Sequence, residues 1–308
     1  DGACLSNKGE ADIMSEAPFG GTLFSRLPGR RERASLPSVY YEVRWFAMTI
    51  AFFDSGMGGL SVLHHAMHEM KGASFLFYAD EDHVPYGVRS KEEIMVFIRE
   101  AFDFLVEKGA DAIVIACNTA TSVAAKAMRA RYDIPIIGME PAVKFALDRD
   151  GAHRVLVTAT PLTVKGKKMQ RLLGRVDKAH LVDLLALPEL VSFAERLEFR
   201  SPAVRTYLEK ELAPYDLEAY SSLVLGCTHF NYFKETLREI FPAHVSLLDG
   251  NAGTVREVKR QLAACGIEVR SEAKETTYYY SGRRVEGKQE LARLHTCLKQ
   301  LDKVFSIV

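Results

Sequence analysis

The sequence lacks the features that mark several classes of protein. No apolar run approaches the roughly 20 residues that a membrane-spanning helix needs. The first residues, Asp1–Cys4, show no charged-then-apolar pattern of a secretory signal. Forty Lys and Arg residues balance forty Asp and Glu residues, so the chain lacks the basic excess that favours nucleic acids and anionic membranes. We therefore expect a cytoplasmic protein with no nucleic-acid partner and no membrane partner.

Cysteine is scarce and scattered. The chain contains five cysteines in 308 residues, and no two of them form a C-x-x-C pair. An odd, dispersed set disfavours a disulfide framework, and its spacing fits no zinc site. The thiols are therefore expected to be reduced and free for chemistry.

The N-terminal segment differs in composition from the rest of the chain. Residues 1–47 contain three prolines, the pair Gly20-Gly21 and the basic cluster Arg30–Arg33, with no sustained helical or strand period. We interpret them as a loosely structured extension that is dispensable for chemistry, and Met48 as a natural start for the remainder. Whether the segment is a genuine appendage stays open at this point.

From Thr49 onward, short apolar runs alternate with helical patterns. The clearest helix is predicted over Ser90–Lys108, where Ser90 and Glu93 form a capping box and apolar residues recur along one face. Short runs of Val, Ile, Leu and Phe between helices are typical of buried parallel strands, which predicts an α/β fold. The predicted strands are Ile50–Phe53, Ser74–Tyr78, Ala112–Ala116, Pro135–Gly138, Arg154–Thr158, His180–Leu184, Ser222–Gly226 and Val245–Leu248.

Two strand ends resemble each other and suggest an internal duplication. The segment ending in Ala116-Cys117-Asn118-Thr119 parallels the segment ending in Gly226-Cys227-Thr228-His229, 110 positions later. Open α/β sheets bind ligands at the carboxyl ends of their strands. We therefore predict two similar domains with mostly parallel sheets flanked by helices and an active site in the cleft between them. One domain would comprise residues 48–141 with 254–308, and the other residues 142–253.

Each of the paired cysteines is expected to precede a helix. The predicted helices are Ala120–Arg131 and Tyr232–Ile240, and their positive ends would lower the pKa of the thiols towards neutrality. A single cysteine is more often a small core residue. Two cysteines at matched strand ends, each followed by Asn, Thr or His, favour acid–base chemistry instead. His229 is the best candidate partner for Cys227, although a structural histidine is a fair alternative.

Other polar groups follow predicted strands. Asp54-Ser55-Gly56-Met57-Gly58-Gly59 fits neither a dinucleotide-binding nor a P-loop pattern, but its backbone N–H groups could bind an anion. Pro85-Tyr86-Gly87 is either a loop that displays a hydroxyl or a simple turn. Glu140 either reaches the same sheet edge or begins the next helix. Thr160 and Thr163 could bind a carboxylate or act as helix-start residues.

Taken together, these motifs resemble those of the glutamate racemase family, within the wider aspartate/glutamate racemase group. Asp54–Gly59, Val84–Gly87, Ala116–Ala120, Glu140–Ala142 and Gly226–His229 occur in the family order from about Thr49 to the C-terminus. The sequence departs from the family in having Phe230-Asn231 where Tyr-Pro is usual. Residues 1–47 do not match the family core.

The resemblance implies a cofactor-independent racemase acting on glutamate, with D-glutamate supplied for peptidoglycan. Cys117 would deprotonate D-glutamate and Cys227 L-glutamate, with Asp54, Glu140 and His229 assisting. No pyridoxal phosphate or metal is implied, and we expect a homodimer. The substrate-binding residues that the resemblance implies are Asp54, Ser55, Pro85, Tyr86, Gly87, Asn118, Thr119, Thr160, Thr163, Thr228 and His229.

Three alternatives stay open from the sequence. A racemase or isomerase of the same group could act on aspartate or another acidic substrate. A hydrolase could use Cys227 as nucleophile and His229 as base, but it would leave Cys117 unused. A non-catalytic module could bind acidic ligands.

Overall fold

A computed structural model describes residues 48–150, 153–265 and 275–308. The N-terminal segment that the sequence sets apart, residues 1–47, lies outside the described residues. The described residues form one compact unit by their internal contacts. None of the helices in the described ranges is long and apolar enough to cross a membrane.

The described strands form two sheets. The first is ordered β10-β9-β2-β1-β3-β4, and its strands are parallel except for β10. Its members are β1 (Thr49–Asp54), β2 (Ser74–Ala79), β3 (Ala112–Ile115), β4 (Ile136–Gly138), β9 (Thr276–Tyr280) and β10 (Arg283–Arg284). The second sheet is parallel throughout, in the order β6-β5-β7-β8. It contains β5 (Arg154–Ala159), β6 (Val182–Ala186), β7 (Tyr220–Leu225) and β8 (Ser246–Asp249).

Helices connect and cover the strands. They are α1 (Leu60–Glu69), α2 (Lys91–Glu107), α3 (Asn118–Arg131), α4 (Val143–Asp150), α5 (Pro161–Val164), α6 (Lys167–Val176), α7 (Pro188–Glu195), α8 (Pro202–Leu212), α9 (Lys234–Ile240), α10 (Asn251–Ala264) and α11 (Lys288–Val304). Short 3₁₀ turns occupy Met57–Gly59, Tyr86–Val88, Leu217–Ala219 and Thr228–Phe233. The α/β prediction, with mostly parallel sheets flanked by helices, is confirmed.

Local sequence signals explain several of these bounds. Ser90 caps α2 by accepting the Glu93 backbone N–H at 3.2 Å, and the Glu93 side chain accepts the Ser90 N–H at 3.0 Å. The apolar face of α2 buries Ile94, Ile98 and Phe102 against the first sheet. Burial of apolar side chains of this size stabilises the fold by roughly 1.5–3 kcal/mol each, before the entropic cost of ordering them.

The C-terminal strands are the main element that the sequence analysis missed. β9 joins the first sheet parallel to β2, and β10 folds back on it. Four of the five residues of β9 are only partly buried, so the strand has no continuous buried apolar run to mark it. The first sheet draws its strands from residues 49–138 and 276–284, and the second from residues 154–249. The proposed domain boundaries near residues 141 and 253 stay a prediction.

Candidate active site

Both paired cysteines stand just past the ends of central strands. Cys117 follows β3 in the first sheet and is the N-cap residue of α3, whereas Cys227 follows β7 in the second sheet. They line one cavity of about 10 Å³, which is room for roughly one water molecule. The cavity therefore lies between the two sheets, with one thiol from each side.

Cys117 is surrounded by polar groups. Its Sγ lies 3.7 Å from Ser55 Oγ and accepts the Ala120 backbone N–H at 3.4 Å. Burial raises the pKa of Cys117 well above its ordinary value, and the nearby Asp54 carboxylate raises it further. The helix-start N–H group opposes this effect but does not overcome it. The expectation that the helix terminus would lower this thiol's pKa is therefore wrong, because burial outweighs the dipole.

Asp54 supports the Cys117 side of the cavity from behind. Its Oδ1 accepts the Ser55 backbone N–H at 2.6 Å, and its Oδ2 accepts the Thr228 hydroxyl at 3.0 Å. Burial raises the pKa of Asp54 to about 6, against the lowering effects of His229 and of these hydrogen bonds. The carboxyl group thus titrates near neutrality, where it can exchange protons.

The Cys227 side is built around an imidazole. His229 Nδ1 lies 3.8 Å from Cys227 Sγ, and its Nε2 lies 2.6 Å from Glu195 Oε1. Burial opposes protonation of His229, but hydrogen bonds to Cys227 and Glu195 and the Glu195 charge outweigh it and raise the pKa of His229 well above its usual value. The segment after Cys227 is a 3₁₀ turn, and α9 begins at Lys234, two residues after the predicted start of this helix at Tyr232.

The carboxylate beside His229 is Glu195, which the sequence analysis did not name. Glu140 lies in a different, larger cavity of about 940 Å³ that contains neither paired cysteine, and it pairs with Lys168 at 3.5 Å. Glu140 follows β4, the edge strand beside β3, and does not line the small cavity, so the expectation that it assists proton transfer there has no geometric support. Glu195 lies at the end of α7, with no flanking motif to mark it. Its one sequence signal is Gly56, where a Cβ would lie 2.2 Å from Glu195 Oε1.

Most of the predicted substrate-binding residues do line the small cavity. The predicted residues in its wall are Ser55, Pro85, Tyr86, Gly87, Asn118, Thr119, Thr160, Thr228 and His229, joined by Val191 and Gly226. Asp54 and Thr163 do not line the cavity, but each forms hydrogen bonds with residues that do. Among these described wall residues there is no Lys or Arg, so an anion in the cavity would meet hydroxyl, amide and backbone N–H donors.

Tyr86 and Asn118 in the cavity wall differ in whether their polar atoms already have hydrogen-bond partners. The Tyr86 hydroxyl donates to Asp80 Oδ2 at 2.5 Å, so it is already engaged rather than displayed to a ligand. Asn118 is buried, yet neither its Oδ1 nor its Nδ2 has a hydrogen-bond partner in the described part of the chain. A buried unpaired amide is costly, which makes Asn118 the strongest candidate for a substrate contact.

The unusual Phe230-Asn231 pair is fully accommodated. Asn231 Nδ2 donates to the Thr228 carbonyl at 3.1 Å and lies 3.4 Å from Ser61 Oγ. Asn231 thus fixes the turn that carries Thr228 and His229. The departure from the family pattern therefore supports the local geometry instead of disturbing it.

The α/β fold thus presents two thiols, one from each sheet, to one small cavity, and a thiol is a group that can give or take a proton. Comparison with known proteins agrees. Residues 60–258 match the Asp/Glu/Hydantoin racemase family. A curated glutamate racemase of Campylobacter curvus is 51% identical over 84% of this chain and 100% of its own length.

Solved structures give the same result. Glutamate racemase from Campylobacter jejuni shares 28% identity with a TM-score of 0.67, over 82% of this chain and 98% of its own. The Escherichia coli glutamate racemase in complex with L-glutamate and the activator UDP-MurNAc-ala shares 27% identity with a TM-score of 0.72, over 82% and 95% of the chains. The chain belongs to the Asp/Glu/Hydantoin racemase family, and it is an isomerase of the glutamate racemase type.

Proposed function

We propose that the protein interconverts L- and D-glutamate without a cofactor, using Cys117 and Cys227 as two bases on opposite faces of the substrate. The observation that carries the proposal is the cavity wall, to which each sheet contributes one thiol. Racemisation breaks and remakes one Cα–H bond on opposite faces. Two facing groups perform it without moving a single base around the substrate.

The groups around the two thiols suit one of them to donate a proton and the other to accept one. The raised pKa of Cys117 keeps its thiol protonated at neutral pH, ready to donate. A protonated His229 beside Cys227 stabilises negative charge on that sulfur, ready to accept a proton. In the L-to-D direction, Cys227 thiolate would remove the Cα proton and Cys117 would deliver its own to the opposite face. The electron pair of the broken C–H bond passes through the α-carboxylate and returns to Cα.

Charge develops on the α-carboxylate during this step. Donors that do not reorganise stabilise such charge most effectively in a site that excludes water. Ser55, Asn118, Thr119 and Thr228 supply neutral donors in the cavity wall. Because the cavity is much smaller than an amino acid, binding requires the two sides to separate and close again.

The substrate is assigned as glutamate because relatives up to 51% identical carry that name. The biological product would be D-glutamate for peptidoglycan, made in the cytoplasm by a homodimer. The decisive assay follows the optical rotation of L-glutamate with no added cofactor. Decay to zero is expected, and aspartate as substrate should decay far more slowly. Faster loss with aspartate would assign a different substrate, and no loss with either would contradict racemisation. Sedimentation velocity tests the dimer.

A further inference from the structure

A line of alternating charges runs away from the Cys227 side of the cavity. Behind His229 lies Glu195, whose Oε2 forms a short ion pair with Arg293, and Arg293 Nη1 lies 2.7 Å from Glu81 Oε2. The four residues come from distant parts of the chain: the turn after β2, the end of α7, the 3₁₀ turn after Cys227 and the middle of α11. Neither Glu81 nor Arg293 touches the cavity.

The line of charges formed by Glu81, Arg293, Glu195 and His229 is energetically costly to bury. The side chains of Glu81 and Glu195 are each 12% exposed, and that of Arg293 is 26% exposed. Within the described residues, Glu81 Oε1 and Arg293 Nε are buried with no hydrogen-bond partner. Burying charged groups with incomplete pairing is unfavourable, and apolar residues in their place would often stabilise a fold equally well. The arrangement therefore points to a role at the site.

We propose that Arg293 is a positioning residue for proton transfer at Cys227, because its ion pair with Glu195 holds that carboxylate against His229. Glu81 forms a second ion pair with Arg293 and partly neutralises its positive charge. The inference rests on the proposed function, in which Cys227 and His229 handle one of the two protons. Arg293 contacts neither Cys117 nor Cys227, so it acts on the reaction indirectly, by holding Glu195 and by its charge.

The signs of the electrostatic effects follow from the charges that surround Glu195. Burial raises the pKa of Glu195, but the hydrogen bond from His229 and the His229 and Arg293 charges outweigh it and lower the pKa below its ordinary value. Burial and the Glu195 charge raise the pKa of Glu81 to about 7. The ionisable groups around Glu195 and its partners are His229, Arg293, Glu81, Cys227, Cys297, Asp54, Tyr232 and Tyr280.

Removing Arg293 and removing Glu81 should therefore shift the pKa values of the neighbouring groups in opposite directions. Removing the Arg293 cation raises the pKa of every neighbouring acid, whereas removing the Glu81 anion lowers it. Arg293→Gln should move the acid limb of the pH profile of kcat/KM to higher pH. It should also lower kcat/KM about tenfold or more, which is less than the roughly 10²–10⁴-fold that general acid–base catalysis contributes. Glu81→Gln should move the limb to lower pH by a smaller amount, because Glu81 is itself partly protonated near neutrality.

Deuterium isotope effects show whether the Arg293→Gln substitution slows proton transfer at Cys227 in particular. The two glutamate enantiomers have equal free energies, so kcat/KM must fall equally in both directions. Slower transfer at Cys227 makes that step limit the reaction more strongly. The isotope effect on kcat/KM should then rise for 2-deuterio-L-glutamate and fall for 2-deuterio-D-glutamate. General loss of folded protein would change neither isotope effect.

Two control variants complete the experiment. Arg293→Lys keeps the cation and should restore much of the activity and the position of the acid limb. Lys299→Gln removes an exposed cation from the same helix and should match the unmodified protein. In ¹⁵N-histidine-labelled protein without substrate, the downfield Nε2–H signal of His229 should persist in both controls and broaden or vanish in Arg293→Gln.

The outcomes separate the two proposals. If the unmodified protein does not racemise glutamate, the proposed function fails, and the His229 signal still decides whether Arg293 positions Glu195. If Arg293→Gln keeps kcat/KM within twofold with an unmoved acid limb and an intact His229 signal, the positioning role is wrong. Equal losses in Arg293→Gln and Glu81→Gln at every pH, with unchanged isotope effects, would also overturn it and leave a purely structural ion pair.

Discussion

Thr119 Oγ1 lies 2.9 Å from Thr160 Oγ1, although Thr119 belongs to the first sheet's side of the cavity and Thr160 to the second's. Thr163 Oγ1 lies 3.1 Å from each of them, so three buried hydroxyls join the two sides. Gly87 permits the approach from the neighbouring loop, since a Cβ there would lie 2.7 Å from Thr160 Cβ. This contact brings the ends of β3 and β5 together, which places Cys117 opposite the strand end that carries Cys227.

The two-thiol arrangement predicts symmetric loss of activity. Cys117→Ala and Cys227→Ala should each abolish racemisation in both directions, because every turnover uses both groups. Cys265→Ala, at an exposed cysteine, is the matched control and should leave the rate unchanged. Near-normal racemisation by folded Cys117→Ala would rule out two bases and favour a one-base scheme or a hydrolase built on Cys227 and His229.

Heavy water provides a second test of the same arrangement. Product formed early should carry solvent deuterium while residual substrate keeps its protium, provided that the two thiols do not share protons. Proton NMR at Cα during the first few per cent of reaction measures both. Original hydrogen retained in the product would indicate a single mobile base.

Asp54 should make stability depend on pH. Its pKa is raised to about 6 in the folded protein, and an unfolded Asp has a pKa near ~3.9. The folded state therefore binds the proton more tightly, so this residue's contribution to stability is fully present below about pH 4 and is lost as pH rises through about 6. The loss amounts to roughly 3 kcal/mol. Asp54→Asn should gain this amount relative to the unmodified protein between pH 4 and 7, measured by urea denaturation. A constant difference across that range would contradict the raised pKa.

Asn118→Ala should separate binding from stability. The amide has no partner within the described residues, so its removal should leave the free energy of unfolding unchanged or raise it by up to about 1–3 kcal/mol. KM should rise roughly tenfold, as expected for one lost hydrogen bond to a charged group. Steady-state kinetics and denaturation on the same preparation test both. A stability loss without a change in KM would mean that Asn118 serves the fold.

Gly58→Ala should damage the site without changing its chemical groups. A Cβ at Gly58 would lie 2.3 Å from His229 Nδ1, the atom that faces Cys227. Displacing the imidazole by about 1 Å is expected to lower kcat/KM roughly 100-fold. Gly174→Ala is the control, since nothing lies within 4 Å of its Cβ position and helix α6 should tolerate it. Equal activity of the two variants would show that the imidazole is not tightly held.

Much of the fold and part of the site could be predicted from local patterns. All eight strands proposed from apolar runs are present within about two residues, because buried parallel strands need such runs. The strand-end positions of Cys117 and Cys227 likewise follow from the local sequence around each one. β9 was missed because its Thr and Tyr residues, most of them only partly buried, form neither an apolar run nor an alternating apolar and polar pattern.

The sequence by itself determined the α/β class, the two thiols and the polar residues that follow them, since these features depend on short segments. Only the tertiary structure decided that Glu195 partners His229, that Arg293 pairs with Glu195 and Glu81, and that Glu140 lies outside the small cavity. It also decided the direction of the Cys117 pKa shift. Burial and through-space charge depend on which distant segments pack together, and no local pattern in the chain records that packing.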